Sequence, residues 1–131
     1  MAPNPIAWRL QSSTPLCYKG GNLLGSIGLS GVNRTHRFAN LGYWVRTPQS
    51  SKGVGAAAAR LAARFAFEEL GLNRLEFIIP AGNRASIRIA EKLGVRFEGI
   101  LRKRLVLRGK PSDALSYSLL AEEFKTQHLH I

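Results

Sequence analysis

A glycine-rich segment of the chain has the residue types of an anion-binding site. The segment Lys52-Gly53-Val54-Gly55-Ala56 lies between Phe38–Arg46, typical of a strand, and Ala56–Gly71, typical of a helix. Glycines let a ligand approach the backbone closely. The first N–H groups of a helix have no partner within it, and they can bind a phosphate or pyrophosphate. We therefore expect a phosphate-bearing ligand here, assisted by the charge of Lys52. The alternative is a loop that needs its glycines only to turn.

Two common nucleotide-binding loops fit this segment poorly. A Walker-type loop requires Gly-Lys-Ser/Thr, which the segment lacks. Gly53–Ala58 does fit the G-x-G-x-x-A pattern of dinucleotide sites, with Glu76 further along the chain. However, Thr47–Lys52 separate the glycines from the strand, and Glu76 falls in the middle of a strand. We therefore discount both loops. A third candidate, an acetyl-CoA pyrophosphate site, depends on the resemblance described below.

The elements that must position this loop form a mixed α/β pattern. After an irregular segment, residues 1–22, with a short strand possible at Ala7–Leu10 or Leu16–Tyr18, one domain is expected over residues 23–127. The order β-β-α-β-α-β-β indicates an α/β fold with one mixed central sheet. The predicted elements are two antiparallel strands, Leu23–Ser30 and Phe38–Arg46, a helix, Ala56–Gly71, a strand, Arg74–Ile79, a second helix, Arg84–Leu93, and a hairpin, Phe97–Arg108 with Asp113–Leu120. A short helix at Ala121–Gln127 is possible.

Residue spacing also predicts which faces of these elements are buried. In the first helix, Ala57, Leu61 and Phe65 recur every four residues and predict the buried side. The first strand of the hairpin alternates, with three leucines expected on one face and three arginines on the other: Leu101, Leu105 and Leu107, against Arg102, Arg104 and Arg108.

The composition favours a small protein that meets anions. The chain has 131 residues, with 19 Lys and Arg against 8 Asp and Glu, so its net charge is +11. That charge attracts nucleic acid, phosphorylated cofactors or acidic proteins, although it also serves solubility. A single cysteine, Cys17, excludes an internal disulfide, and no metal site is predicted. No apolar run is long enough to span a membrane, and a cytoplasmic location is expected.

Five motifs in order resemble the GCN5-related N-acetyltransferase (GNAT) family. They are LGYWVR, QSSKGVGAAAA, NRLEF, NRASIRIAEKLGVRFEG and DALSYSLL, and they lie within Leu23–Glu123. The chain looks most like the subgroup that acetylates the N-termini of ribosomal proteins. The resemblance implies an enzyme that moves an acetyl group from acetyl-CoA to an amine of a protein N-terminus or a small molecule.

The resemblance assigns a cofactor site to residues of this chain. The pyrophosphate loop of the family falls on Ser50–Gly55, followed by Ala56, with serines in place of the usual first residues. The strand that ends with Trp44-Val45-Arg46 is expected to separate from Arg74–Ile79 and leave a gap for pantetheine, which would pair with backbone around Val45. The remaining assigned residues are two in that strand and three around the second helix: Trp44 and Val45, with Asn83, Ser86 and Lys92. Asn83 is equally explained as a helix N-cap, and Lys92 as a solvated residue.

The resemblance leaves the catalytic groups open. Many relatives have a Glu where this chain has Asn40, and a Tyr where it has Ala90. Glu76 is the best remaining carboxylate, either as a base acting through water or as a structural or substrate-orienting group. Ser86 or a water would donate the proton to the thiolate. The oxyanion donor would be the backbone N–H of Val45.

In the family, an N-terminal strand and helices shape the acceptor site, and the resemblance leads us to expect no counterpart of them in the residues before Leu23. We therefore expect the acceptor site to be incomplete, with weak turnover unless a second copy completes it as a homodimer. The rival functions are a non-catalytic CoA-binding remnant of the fold and a basic ribosome- or RNA-associated module that uses Arg102, Arg104 and Arg108.

Overall fold

The computed structural model describes the backbone of residues 14–17, 23–45 and 53–128. The predicted strand Ala7–Leu10 and residues Ser50–Lys52 lie outside this part of the chain. Six strands and three helices are present within it: β1 Thr14–Cys17, β2 Leu23–Asn33, β3 Phe38–Val45, α1 Val54–Arg64 extended by a π-helical turn at Phe65–Glu69, β4 Arg74–Pro80, α2 Arg84–Lys92, β5 Arg96–Leu107, β6 Lys110–Leu120 and α3 Ala121–His128.

All described strands belong to one mixed sheet. Their order is β1-β2-β3-β4-β6-β5, and every neighbouring pair is antiparallel except β3 and β4. From Leu23 onwards the predicted order of strands and helices is confirmed. The structure adds β1, which lies in the segment predicted to be irregular and pairs with β2. It begins two residues before the predicted alternative, Leu16–Tyr18.

The helices cover one face of the sheet. Leu75, Phe77 and Ile79 of β4 are buried, whereas Glu76 and Ile78 between them are partly exposed, as expected where side chains alternate across a strand. The buried residues form one core cluster with α1, α2 and α3. The other face, which we call the open face, carries Glu76 and Ile78 and is not covered by any described helix.

The buried side of α1 differs from the predicted one. Ala57 is exposed, and Leu61 is 65% exposed, so two of the three expected core residues are wrong. The helix is instead buried along a stripe of small residues: Ala56, Ala59, Ala62, Ala63 and Ala66. Alanines occur on several faces of this helix, and periodicity alone could not choose between them. Three charged residues of this helical segment, Arg60, Arg64 and Glu68, are exposed.

The hairpin departs from simple alternation at its centre. Leu101 pairs with Ala114, and Leu105 pairs with Ser112. Between these two pairs β5 advances by four residues, whereas β6 advances by only two. The two extra residues form a bulge at residues 102–104, with Lys103 at φ 51°, and preserve the common face of the leucines. The predicted opposite placement of Arg104 is wrong, because the bulge turns it towards the same cavity as Leu101 and Leu105.

No helix in the described ranges is both long and apolar enough to cross a membrane.

Candidate active site

The two parallel strands at the centre of the sheet separate after a short contact. β3 and β4 pair only from Phe38 with Arg74 to Asn40 with Glu76. Beyond that point β3 stays paired with β2 up to Val45, and β4 stays paired with β6 up to Pro80. The facing edges therefore enclose a gap, which we call the wedge, between Leu41–Val45 and Phe77–Pro80. The predicted separation of these strands is confirmed.

The first turn of α1 presents backbone donors that no described residue binds. Gly53 is the N-cap, with φ 77° and ψ 0°, and no side chain in the described part of the chain caps the helix. The first bond of the helix is donated by the Ala57 N–H to the Gly53 carbonyl at 3.0 Å. The N–H groups of residues 54–56 thus precede the helical bonding pattern. The left-handed conformation at position 53 favours glycine, because it costs residues with a side chain roughly 1–2 kcal/mol.

The structure distributes the predicted cofactor residues around the wedge. Trp44, at the open end of the wedge, is 49% exposed, and the backbone of Val45 pairs with Gly25 of β2. Gly55 and Ala56 lie in the first turn of α1, and the methyl group of Ala56 is buried in the core. Ala56 therefore offers a ligand only its backbone N–H. Val54 begins the helix, and Lys52 lies outside the described residues.

The residues predicted on α2 occupy its two ends. Asn83 Oδ1 accepts a hydrogen bond from the Ser86 N–H at 3.1 Å, which confirms Asn83 as the helix N-cap. This bond does not use Nδ2, so the amide keeps its donors. Ser86 is buried. Lys92 is exposed at the other end, roughly 13 Å from Asn83 for nine residues of helix. Its carbonyl accepts a hydrogen bond from Arg60.

A cavity of about 540 Å³ opens on the open face where the wedge begins. Its polar wall comes from five strands and consists of Ser30, Asn40, Glu76, Arg104 and Ser116. Asn40 and Glu76 are directly opposite each other in the last register pair before β3 and β4 separate. The cavity therefore adjoins the narrow end of the wedge.

An ion-pair network fixes Glu76. Its Oε2 accepts a hydrogen bond from Arg74 Nε at 2.9 Å. The same guanidinium binds both oxygens of Glu98, at 2.8 and 2.6 Å, and Glu98 Oε2 also accepts from Ser118 Oγ at 2.7 Å. The described contacts of Glu76 use Oε2 only. The carboxylate is thus held in place at the cavity wall while Oε1 remains able to accept a donor.

Asn40 adds an acceptor that the sequence did not reveal. Its Nδ2 donates to Ser30 Oγ at 3.4 Å. Its Oδ1 is buried and has no hydrogen-bond partner in the described part of the chain. A buried acceptor without a partner is costly, so a donor from a ligand would stabilise it. Sequence reasoning noted Asn40 only as a departure from the Glu of many relatives.

Tyr43 is a second residue that sequence reasoning missed. It lies on the helix-facing side of β3, and its hydroxyl donates to the Ser86 carbonyl of α2. Its ring meets Phe77 of β4 edge-on, with ring centroids 6.5 Å apart. Burial raises the pKa of Tyr43 well above its usual range, so the phenol stays protonated. Tyr43 therefore connects both sides of the wedge to α2. Only the alternation of β3 hinted at this inward placement.

The network around Glu98 makes stability depend on pH. The pKa of Glu98 is lowered from 4.5 to about 2, mainly by its hydrogen bonds from Arg74 and to a smaller extent by the one from Ser118. A carboxyl with a lowered pKa stabilises the fold above its ordinary pKa and ceases to do so as the pH falls towards the folded value. The free energy of unfolding should therefore decrease between pH 4.5 and about 2 more steeply in the wild type than in Glu98→Gln.

Urea denaturation at successive pH values measures this effect. We expect the change in the free energy of unfolding to be small, because the Glu98 side chain is 36% exposed and water screens its ion pair. Glu68→Gln, which removes an exposed carboxyl outside the network, is the control and should follow the wild type. Parallel pH profiles for the wild type and Glu98→Gln would contradict the assignment.

Comparisons with known proteins agree with this geometry. The model of the acetyltransferase (GNAT) domain family matches residues 4–96. The chain belongs to the GNAT acetyltransferase family. It is 37% identical over 105 residues to "Putative ribosomal N-acetyltransferase YdaF" of Bacillus subtilis (strain 168), covering 80% of this chain and 57% of that protein. Spermidine N(1)-acetyltransferase of Escherichia coli (strain K12) is 28% identical, over 82% of this chain and 58% of that protein.

A solved structure resembles the fold and contains a CoA derivative. Mycobacterium smegmatis RimJ in complex with CoA-disulfide superposes with a TM-score of 0.74 at 29% identity, covering 79% of this chain and 50% of that one. The chain spans a little over half the length of the curated relatives described above.

Proposed function

We propose that the chain binds acetyl-CoA in the wedge and transfers the acetyl group to an amine of a protein N-terminus or a small molecule. The single observation that carries this proposal is the limited contact of β3 and β4, which pair over residues 38–40 and 74–76 only. Acetyl-CoA supplies an acyl group activated as a thioester. The amine nitrogen bonds to the acetyl carbon while the C–S bond breaks.

The backbone around the wedge fits the elongated cofactor. The free edge of β3 up to Val45 can pair with the amides of pantetheine as an added strand would. The N–H groups of Val54, Gly55 and Ala56 suit the pyrophosphate. Lys52 adds charge by its sequence position, Trp44 flanks the open end, and Asn83 retains its Nδ2 donors for the pantetheine arm. Lys92 remains a proposed contact for a more distant phosphate.

The cavity on the open face fits the amine. The carboxylate of Glu76 and the Oδ1 of Asn40, which no described residue binds, are two acceptors at one position of the sheet, and an amine has the donors that both need. Glu76 orients the amine and takes up its proton, directly or through water. Because Glu76 is held in place by Arg74, it is better suited to orient the amine than to act as its base. Ser86 remains the proposed proton donor to the thiolate, since α2 contacts β3 there through Tyr43.

The open face of the sheet suggests that the chain associates with a second copy of itself. We expect a second copy to complete the acceptor site, because no described helix covers the open face. The edge strand β5 also exposes large apolar residues such as Ile100 and Val106, at 60% and 69%, which a partner could cover. Association with a ribosome or RNA through the +11 charge remains a weaker proposal. A cytoplasmic location stays a prediction based on cysteine usage.

The proposal is tested by CoA release from acetyl-CoA in the presence of peptide amines or spermidine. Transfer should be detectable but slow for this chain, and its specific activity should rise with protein concentration if a second copy completes the site. Sedimentation over the same concentrations should then show a dimer. CoA binding without any transfer would support the non-catalytic alternative. The absence of CoA binding at millimolar concentration would refute the acetyltransferase proposal.

A further inference from the structure

The open-face cavity contains two charges of opposite sign with different surroundings. Glu76 is bound to Arg74, as described above. Arg104 lines the opposite part of the wall, on the β5 bulge, and makes no ion pair with any described residue. An amine held at Glu76 and Asn40 would thus enter a cavity in which the guanidinium of Arg104 has no anion to bind.

The bulge makes the mouth of this cavity strongly basic. Arg102, Lys103 and Arg104 are consecutive and exposed. They also line a second, shallower cavity of about 710 Å³, together with apolar residues and Asp113. Asp113, the single carboxylate that lines this second cavity, accepts a hydrogen bond from the Lys103 backbone N–H at 2.9 Å. One acidic side chain against three basic ones gives the region around the bulge a net positive charge.

From this placement we infer that the amine acceptor is a peptide with an acidic side chain close to its N-terminal amine. The amine contacts Glu76 and Asn40, and the acidic side chain pairs with Arg104 on the bulge. This inference rests on the proposed function and specifies the substrate of the same site. Arg104 determines specificity through its contact with the acceptor, and Arg102 and Lys103 strengthen the local field.

The same charges disfavour two other occupants of the cavity. A polyamine carries several positive charges, and all but the one at Glu76 would face Arg104 and its neighbours, where like charges repel. A nucleic acid would match the bulge but offers no amine donor comparable to an N-terminus for Asn40 and Glu76. A peptide that carries an amine and an acid satisfies both ends of the cavity.

Matched peptides test the inference. Three peptides share an N-terminal serine and differ at the next two positions, which are Asp-Asp, Gln-Gln or Lys-Lys. We expect kcat/KM for the acidic peptide to exceed that for the neutral one by about tenfold, the size of one charge-assisted contact. The lysine peptide and spermidine should be poorer still. Arg104→Gln should remove the preference, and Arg104→Glu should reverse it in favour of the lysine peptide.

The control is Arg108→Glu, which makes the same change of net charge in the exposed turn of the same hairpin but outside the cavity wall. It should retain the acidic preference. Equal rates for all three peptides, faster transfer to spermidine, or an equal loss of preference in Arg108→Glu would each overturn the inference while leaving acetyl transfer intact. If no amine is acetylated although CoA binds, the proposed function fails and this inference fails with it.

Discussion

Replacing Gly53 with glutamate is expected to weaken CoA binding by at least about tenfold, equivalent to 1.4 kcal/mol. Gly53 has φ 77°, which strains any side chain that replaces it. The added carboxylate would also lie beside the N–H groups of α1 that are proposed to hold the pyrophosphate, where it competes with and repels the ligand. Isothermal titration calorimetry with CoA measures the loss.

Gly71 provides a matched control for this substitution. It also has a positive φ, 66°, it is exposed, and it follows the opposite end of the same helical segment. Gly71→Glu therefore introduces similar strain and the same charge away from the wedge, and it should leave the CoA affinity close to that of the wild type. Circular dichroism confirms that both variants fold. If the two substitutions weaken CoA binding equally, the N-terminus of α1 is not the pyrophosphate site.

Replacing Glu76 with glutamine is expected to lower kcat/KM for the amine by about a hundredfold, the lower end of what a proton-transfer group contributes. The change keeps the size of the side chain and removes the charge that attracts and deprotonates the amine. The affinity for CoA should be unchanged, because the cavity that contains Glu76 is on the acceptor side. Initial rates at saturating acetyl-CoA, with calorimetry for CoA, separate the two effects.

Glu98→Gln is the matched control, because Glu98 binds the same guanidinium of Arg74 but does not line the open-face cavity. It should lower stability and preserve acetyl transfer to within a few-fold. If Glu98→Gln slows transfer as much as Glu76→Gln does, then Glu76 acts only by maintaining the ion-pair network. That result would leave the catalytic base unassigned.

Much of the cofactor side could be predicted from the sequence because it depends on local signals. Glycines between a strand and a helix indicate a turn and a free helix N-terminus, and the structure places Gly53 as a left-handed N-cap. Asn83 before a helical run predicts an N-cap, which the bond to the Ser86 N–H confirms. The separation of β3 and β4 was predicted from the resemblance to the family.

The acceptor side depends on contacts between distant residues and was harder to predict. The pairing of Asn40 with Glu76 joins residues of two strands separated by a helix. No local pattern reveals that Asn40 Oδ1 has no partner within the ranges that the structure describes. The turn of Arg104 into the cavity depends on two extra residues in β5, which strict alternation cannot represent. Likewise, Tyr43 acquires its role only through the position of α2.

The central claim is that the wedge between β3 and β4 holds CoA, and a crystal structure of the chain with CoA tests it most directly. The account predicts pantetheine between Leu41–Val45 and Phe77–Pro80, hydrogen-bonded to the free edge of β3, with the pyrophosphate at the N–H groups of residues 54–56. The thiol should point towards Asn40 and Glu76. CoA bound elsewhere on the molecule, with the wedge occupied by protein or water alone, would contradict the account.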